Sequence, residues 1–127
     1  MERVTGIGGV FFKAHAPERM AEWYRDHLGI ESQDQCATFE WLEKTEPPGQ
    51  GMTVWSLFPA DTQYFKNSNA PFMINYRVKD LDAMIAQLRA KGVAVEGTAD
   101  YDYGRFAWVT DPEGNRIELW EPSKAKQ

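Results

Sequence analysis

The sequence predicts an α+β fold in which two tandem repeats of the βαβββ type build one cup-shaped mixed sheet, with the helices on its convex side. Three observations predict it. Strand and helix patterns follow one another in the same order in both halves of the chain. The halves overlie each other at a nearly constant offset. The strands of the second half alternate apolar and polar residues, as strands do when one face packs under a helix and the other stays open.

The first repeat spans about residues 4–58. Residues 4–13 are apolar with scattered glycine and read as a strand. Pro17 suits the first turn of a helix, because its missing N–H would have no partner there. Met20, Ala21, Trp23, Tyr24 and Leu28 then recur at helical spacing until Gly29 stops the helix. Residues 36–42 and 52–58 read as two further strands, separated by the turn formers Pro47, Pro48, Gly49 and Gly51. Residues 59–70 carry little periodicity, which suits a connecting loop or a short irregular helix between the halves.

The second repeat spans about residues 71–122. Phe72–Val78 reads as a strand, Asp80 caps a helix that runs to about Ala90, and Gly92 ends it. Two or three strands follow as far as Glu121. Sliding the chain by 64 residues lays Gly9 to Lys13 on Met73 to Arg77, Met20 on Met84 and Arg25 on Arg89. A shift of 62 lays Trp55-Ser56-Leu57-Phe58 on Ile117-Glu118-Leu119-Trp120. The common order of these matches implies an internal duplication with a pseudo-two-fold axis, expected as a single domain over residues 1–127.

Alternation assigns the faces. Phe72, Ile74, Tyr76 and Val78 are expected under the helices, and Met73, Asn75 and Arg77 on the concave side. Ile117 and Leu119 take the helix side, and Arg116, Glu118 and Trp120 the other. The repeat then adds Gly9, Phe11, Lys13, Val54, Ser56 and Phe58 to the cup. The strand 106–110 is apolar on both faces; Phe106 and Trp108 are assigned to the cup, with Ala107 and Val109 toward a helix, in a register set by the turn Asp111-Pro-Glu-Gly-Asn. Tyr101, Asp102 and Tyr103 are candidates for a rim.

Composition narrows the function classes. Five tryptophans, five tyrosines and seven phenylalanines in 127 residues hint at an aromatic-lined pocket. Fourteen basic against 19 acidic residues give a net charge of -5, which disfavours nucleic acid and mildly suits a cationic ligand. No apolar stretch approaches the roughly 18 residues of a membrane span, so no membrane partner and a cytoplasmic location are expected. Cys36 stands alone, without a disulfide partner or a metal-binding grouping, and reads as a passive strand residue.

Four segments, in order, carry a family resemblance: Gly8-Gly-Val-Phe-Phe, Trp23-Tyr24-Arg-Asp-His-Leu-Gly29, Val78-Lys-Asp-Leu-Asp82 and Asp111-Pro-Glu-Gly-Asn-Arg-Ile-Glu118-Leu. Together they resemble the vicinal oxygen chelate superfamily of glyoxalases, bleomycin-resistance proteins and extradiol dioxygenases, over nearly the whole chain. The resemblance implies four equivalent strand positions for metal ligands, which here are Gly9, Ser56, Met73 and Glu118. Only Glu118 is a competent hard ligand, so no cofactor is expected and a divalent metal is disfavoured. His15, at the strand-to-helix junction, and His27, at a helix end, are poorly placed to replace the missing ligands.

Glu118 has two readings from its neighbours in sequence space: an arm of an ion pair with Arg77 or Arg116, or an acid or base in a partly apolar pocket. The expected function is a metal-independent small-molecule-binding protein, with Phe11, Ser56, Met73, Asn75, Arg77, Phe106, Trp108, Arg116 and Trp120 as ligand-binding candidates. The alternative is a lyase or isomerase of a small oxygenated metabolite that uses Glu118 as acid or base, with or without a divalent metal. A third reading is an interaction module whose cup is filled by its own side chains. A homodimer is expected in each case.

Overall fold

The computed structural model describes residues 1–44 and 48–123. Its elements are β1 (Val4–Ala14), α1 (Pro17–Leu28), β2 (Cys36–Leu42), β3 (Gln50–Pro59), β4 (Phe72–Val78), α2 (Leu81–Ala90), β5 (Gly97–Tyr101), β6 (Gly104–Thr110) and β7 (Arg116–Pro122). The first repeat is therefore βαββ and the second βαβββ. Pro47 of the expected turn lies outside the described residues, and β3 begins two residues earlier than the pattern suggested.

All seven strands form one sheet in the order β2-β3-β1-β4-β7-β6-β5. Each repeat contributes one half, and the antiparallel β1–β4 pair joins them. The duplication is visible in the register. β1 runs parallel to β3 with Phe11 opposite Ser56, and β4 runs parallel to β7 with Asn75 opposite Glu118. The two sequence offsets carry the first pair onto the second.

The helix ends follow from local chemistry. Pro17 opens α1, and Gly29 closes it at φ 70°, a left-handed conformation that favours glycine. The Asp80 carboxylate caps α2 by accepting the Ala83 N–H at 3.0 Å. In the β6–β7 turn, Asp111 Oδ1 accepts the N–H groups of Glu113 and Asn115, each at 2.9 Å. This turn sets the pairing of Trp108 with Glu118 and of Phe106 with Trp120.

Helix α2 packs on β6 and β7, where Leu81, Met84 and Ile85 meet Val78, Ala107 and Leu119. Helix α1 packs on β1 and β3, and none of its residues is buried. Tyr24 still reaches the sheet edge-on against Phe12 and Trp55. Phe72, expected under a helix, is 46% exposed. The reason is positional: α2 starts just past the far end of β4 and covers its Tyr76 and Val78 end, leaving the start of the strand bare.

Of the two forms expected for the linker, it takes the connecting loop and not the helix. Residues 59–70 form successive tight turns, with Thr62 N–H donating to Pro59 O, Lys66 to Gln63 O and Ser68 to Phe65 O. They carry Phe65 into the core, where it is 0% exposed against Phe11 and Met73. Among the described residues, no helix is long and apolar enough to cross a membrane.

Candidate functional site

A cavity of about 310 Å³ opens on the concave face. β1 supplies Gly8 and Phe11 to its wall, β3 supplies Val54 and Phe58, and β4 supplies Asn75. Phe106, Glu118 and Trp120 come from β6 and β7, Tyr101 and Tyr103 from the β5–β6 hairpin, and Tyr64 from the linker. The rings are arranged in stacked pairs: Phe106 on Trp120 with centroids 6.0 Å apart, Tyr101 on Tyr103 at 5.3 Å, and Phe58 on Tyr64 at 5.5 Å. Gly8 lets Trp120 approach, since a Cβ there would lie 3.0 Å from the indole and 2.9 Å from Arg77 Cγ.

Glu118 forms the polar floor and is 2% exposed. Its Oε1 accepts Asn75 Nδ2 at 2.6 Å, and its Oε2 accepts Trp108 Nε1 at 2.9 Å and the Tyr64 hydroxyl. All three donors are neutral, and their convergence suits the ionised carboxylate, which only accepts. Burial, together with the Glu118 charge and hydrogen bond, pushes the Tyr64 phenol well above its ordinary range. Burial and neighbouring Tyr101 and Glu118 raise Tyr103 as well.

The expected ion pairs between Glu118 and Arg77 or Arg116 do not form. Arg77 Nη2 donates to Glu43 Oε1 at 3.0 Å, with the guanidinium between the rings of Trp41 and Trp120. Arg116 Nη1 donates to Glu96 Oε1 at 3.2 Å and lies over Trp108. Each arginine already has its carboxylate, at opposite ends of the cup, so the Glu118 charge is left to neutral donors.

Of the ligand-binding candidates, Phe11, Asn75, Phe106 and Trp120 line the cavity together with Glu118. Met73 sits behind Phe11, and Trp108 lies under Glu118 as a donor. Arg77 borders an adjoining pocket of about 320 Å³ that shares Tyr103 and Trp120, whereas Arg116 borders another beside Phe65. Ser56 pairs with Cys36 in the sheet, where burial raises the Cys36 thiol and Ser56 partly offsets the rise. Tyr101 and Tyr103 reach the cavity wall; Asp102 does not. His15 lies between β1 and α1, and His27 stacks on Trp23 with Nδ1 2.9 Å from the Trp23 carbonyl oxygen, so neither is in the cup.

Sequence reasoning missed Tyr64. The available signal was the adjacent aromatic pair Tyr64-Phe65 inside an otherwise polar linker.

A family model described as a glyoxalase-like domain matches residues 9–120. The chain belongs to the glyoxalase-like family. Among solved structures similar to this glyoxalase-like domain, methylmalonyl-CoA epimerase from Mycobacterium tuberculosis is 25% identical, with a TM-score of 0.59 over 97% of this chain and 91% of that one. A Streptomyces coelicolor methylmalonyl-CoA epimerase variant in complex with 2-nitronate-propionyl-CoA is 20% identical, with a TM-score of 0.68 over 96% and 97% of the two chains. A glyoxalase/bleomycin resistance protein/dioxygenase superfamily member from Vibrio splendidus 12B01 is 10% identical, with a TM-score of 0.56 over 95% and 99%. The last two establish likeness of fold alone. No curated protein matches the sequence.

The residues at the four positions that the resemblance assigns to metal ligands do not fit a divalent metal. Gly9 has no donor, and its neighbouring space is taken by Phe11, whose ring would lie 2.7 Å from a Cβ at that position. Met73 is buried in the apolar cluster with Phe11 and Phe65, and Ser56 is a poor ligand. Both Glu118 oxygens already accept protein donors. Among the described residues, no group of three or more His, Cys, Asp and Glu side chains converges.

Proposed function

We propose that this glyoxalase-like domain binds a small organic molecule in the cavity over Glu118 and needs no divalent metal to do so. One observation carries the reading: an aromatic-walled cavity of about 310 Å³ has a single buried carboxylate in its floor, held by three neutral donors. That size and lining fall within the range of small-ligand sites. The solved structures of like fold include epimerases in complex with methylmalonyl-CoA and with 2-nitronate-propionyl-CoA, so a chain of this fold can hold a small organic ligand.

The test is a fragment screen by NMR on protein stripped of metal with EDTA. Ligands are expected to shift the indole N–H resonances of Trp108 and Trp120 without added metal. Binding that appears only on adding zinc or manganese, or a stoichiometric metal found by elemental analysis, would overturn the proposal.

Tyr64 favours a second reading, a lyase or isomerase with Glu118 as acid or base. Its hydroxyl on Glu118 Oε2 puts a proton donor beside a carboxylate at the cavity wall. Under that reading Glu118→Gln abolishes turnover of a small oxygenated substrate and spares its binding; equal turnover in the two proteins removes it.

A further inference from the structure

We infer that the cavity selects an organic cation, in particular a quaternary or fully alkylated ammonium group. The inference rests on the reading that the cavity takes a small molecule, and it comes from the cavity's charge and from the acceptor capacity left in it.

Among the described residues, Glu118 is the only charged one in the cavity lining. The three groups that hold it are an amide, a phenol and an indole, so its negative charge is solvated without being neutralised. The nearby cations are engaged elsewhere. Arg77 is held by Glu43, Arg116 by Glu96, and the Lys13 ammonium sits 5.2 Å from the Phe65 ring; none of them lines the cavity. A buried charge without a counter-charge favours a ligand that brings one.

The walls point the same way. Phe58, Tyr64, Phe106 and Trp120 line the cavity as two stacked pairs, and aromatic π faces attract cations and repel anions; Trp120 already carries the Arg77 guanidinium 5.4 Å from its ring. An anionic ligand, including the phosphates of a coenzyme A ester, meets both the carboxylate and these faces unfavourably. A neutral ligand gains only apolar burial.

The hydrogen bonds on Glu118 separate one kind of cation from another. An ionised carboxylate offers about four acceptor sites, and three protein donors already use Glu118. A primary ammonium brings three N–H groups, for which Glu118 has about one acceptor site left, so the others need the Tyr101 and Tyr103 hydroxyls at the wall. A quaternary ammonium has none, and its charge is spread over carbons that pack against rings. The cavity therefore fits an alkylated ammonium better than a hydrogen-bonding one.

Three para-substituted probes of nearly equal shape test this by NMR titration: para-(trimethylammonio)benzyl alcohol, para-tert-butylbenzyl alcohol and para-tert-butylbenzoate. The cation is expected to bind about tenfold more tightly than its neutral isostere, and the anion most weakly. In Glu118→Gln the advantage of the cation over the neutral alcohol should fall to the roughly threefold that the rings supply. This variant is expected to fold, because the amide it introduces finds an acceptor in the otherwise unpartnered Asn75 Oδ1 once the Asn75 amide turns. Should it not fold, Phe106→Leu keeps an apolar wall without a π face, and should weaken the cation selectively. Equal binding of cation and neutral isostere to the native protein, or tighter binding of the anion, overturns the cation inference and leaves the small-molecule reading intact. If none of the three shifts a cavity resonance, both are overturned.

Discussion

Replacing Phe65 by alanine tests whether the linker walls one end of the cup. Phe65 is 0% exposed, packs with Phe11 and Met73, and meets the Phe58 ring at 5.5 Å between centroids. Phe→Ala at a fully buried site costs about 3–5 kcal/mol, from lost transfer energy and from the cavity left behind. The linker is held by short-range turn hydrogen bonds and can partly collapse, which places the cost near the lower end, about 3 kcal/mol. For a chain of this length that corresponds to a fall in Tm of roughly 10–15 °C. Urea unfolding followed by tryptophan fluorescence should show a lower midpoint with an unchanged slope. Phe65→Leu keeps most of the apolar volume and should lose only about 1 kcal/mol. A loss below about 1 kcal/mol for Phe65→Ala would refute the reasoning, since a ring that anchors the linker cannot be removed so cheaply.

Three further outcomes follow from the same geometry. Glu118→Leu strands Trp108 Nε1 and Asn75 Nδ2, both in buried side chains, and should destabilise the fold by roughly 2–5 kcal/mol in urea, well beyond the cost of Glu118→Gln. The Tyr64 phenol is raised in the folded state, so the folded protein holds a proton that the unfolded chain releases above the ordinary tyrosine pKa of about 10. Stability should therefore be unaffected by this group below that pH and fall above it. Tyr64→Phe should flatten the loss measured by alkaline unfolding, whereas an unchanged alkaline limb would show that the phenol ionises freely. Asp80→Ala removes the side-chain cap of α2 and should cost about 1 kcal/mol by denaturant midpoint, with no change in the affinity of any cup ligand, since α2 packs on the convex face.

Much of this architecture was legible in the chain. The capping Asp80, the αL glycine at Gly29 and the Asp111 turn act within a few residues of themselves, so sequence-local chemistry suffices to place them. Alternation in β4 and β7 carries face information at a period of two, which put Asn75, Glu118 and Trp120 on the cavity side. The internal offsets anticipated the matched pairs Phe11–Ser56 and Asn75–Glu118. The absence of competent ligands at Gly9 and Met73 also needs only residue chemistry.

What the tertiary structure alone decided is who pairs with whom. Arg77 and Arg116 lie near Glu118 in the alternation pattern, yet each bonds a glutamate from another part of the chain, Glu43 and Glu96. A pattern reports the face a side chain takes; it does not report distances between elements brought together by folding. Tyr64 shows the same limit more sharply. Its linker has no period to read, and only the closing of the cup carries its hydroxyl across 54 positions of sequence to Glu118. The cup was therefore determined locally, strand by strand, while the uncompensated charge in its floor is a property of the assembled sheet.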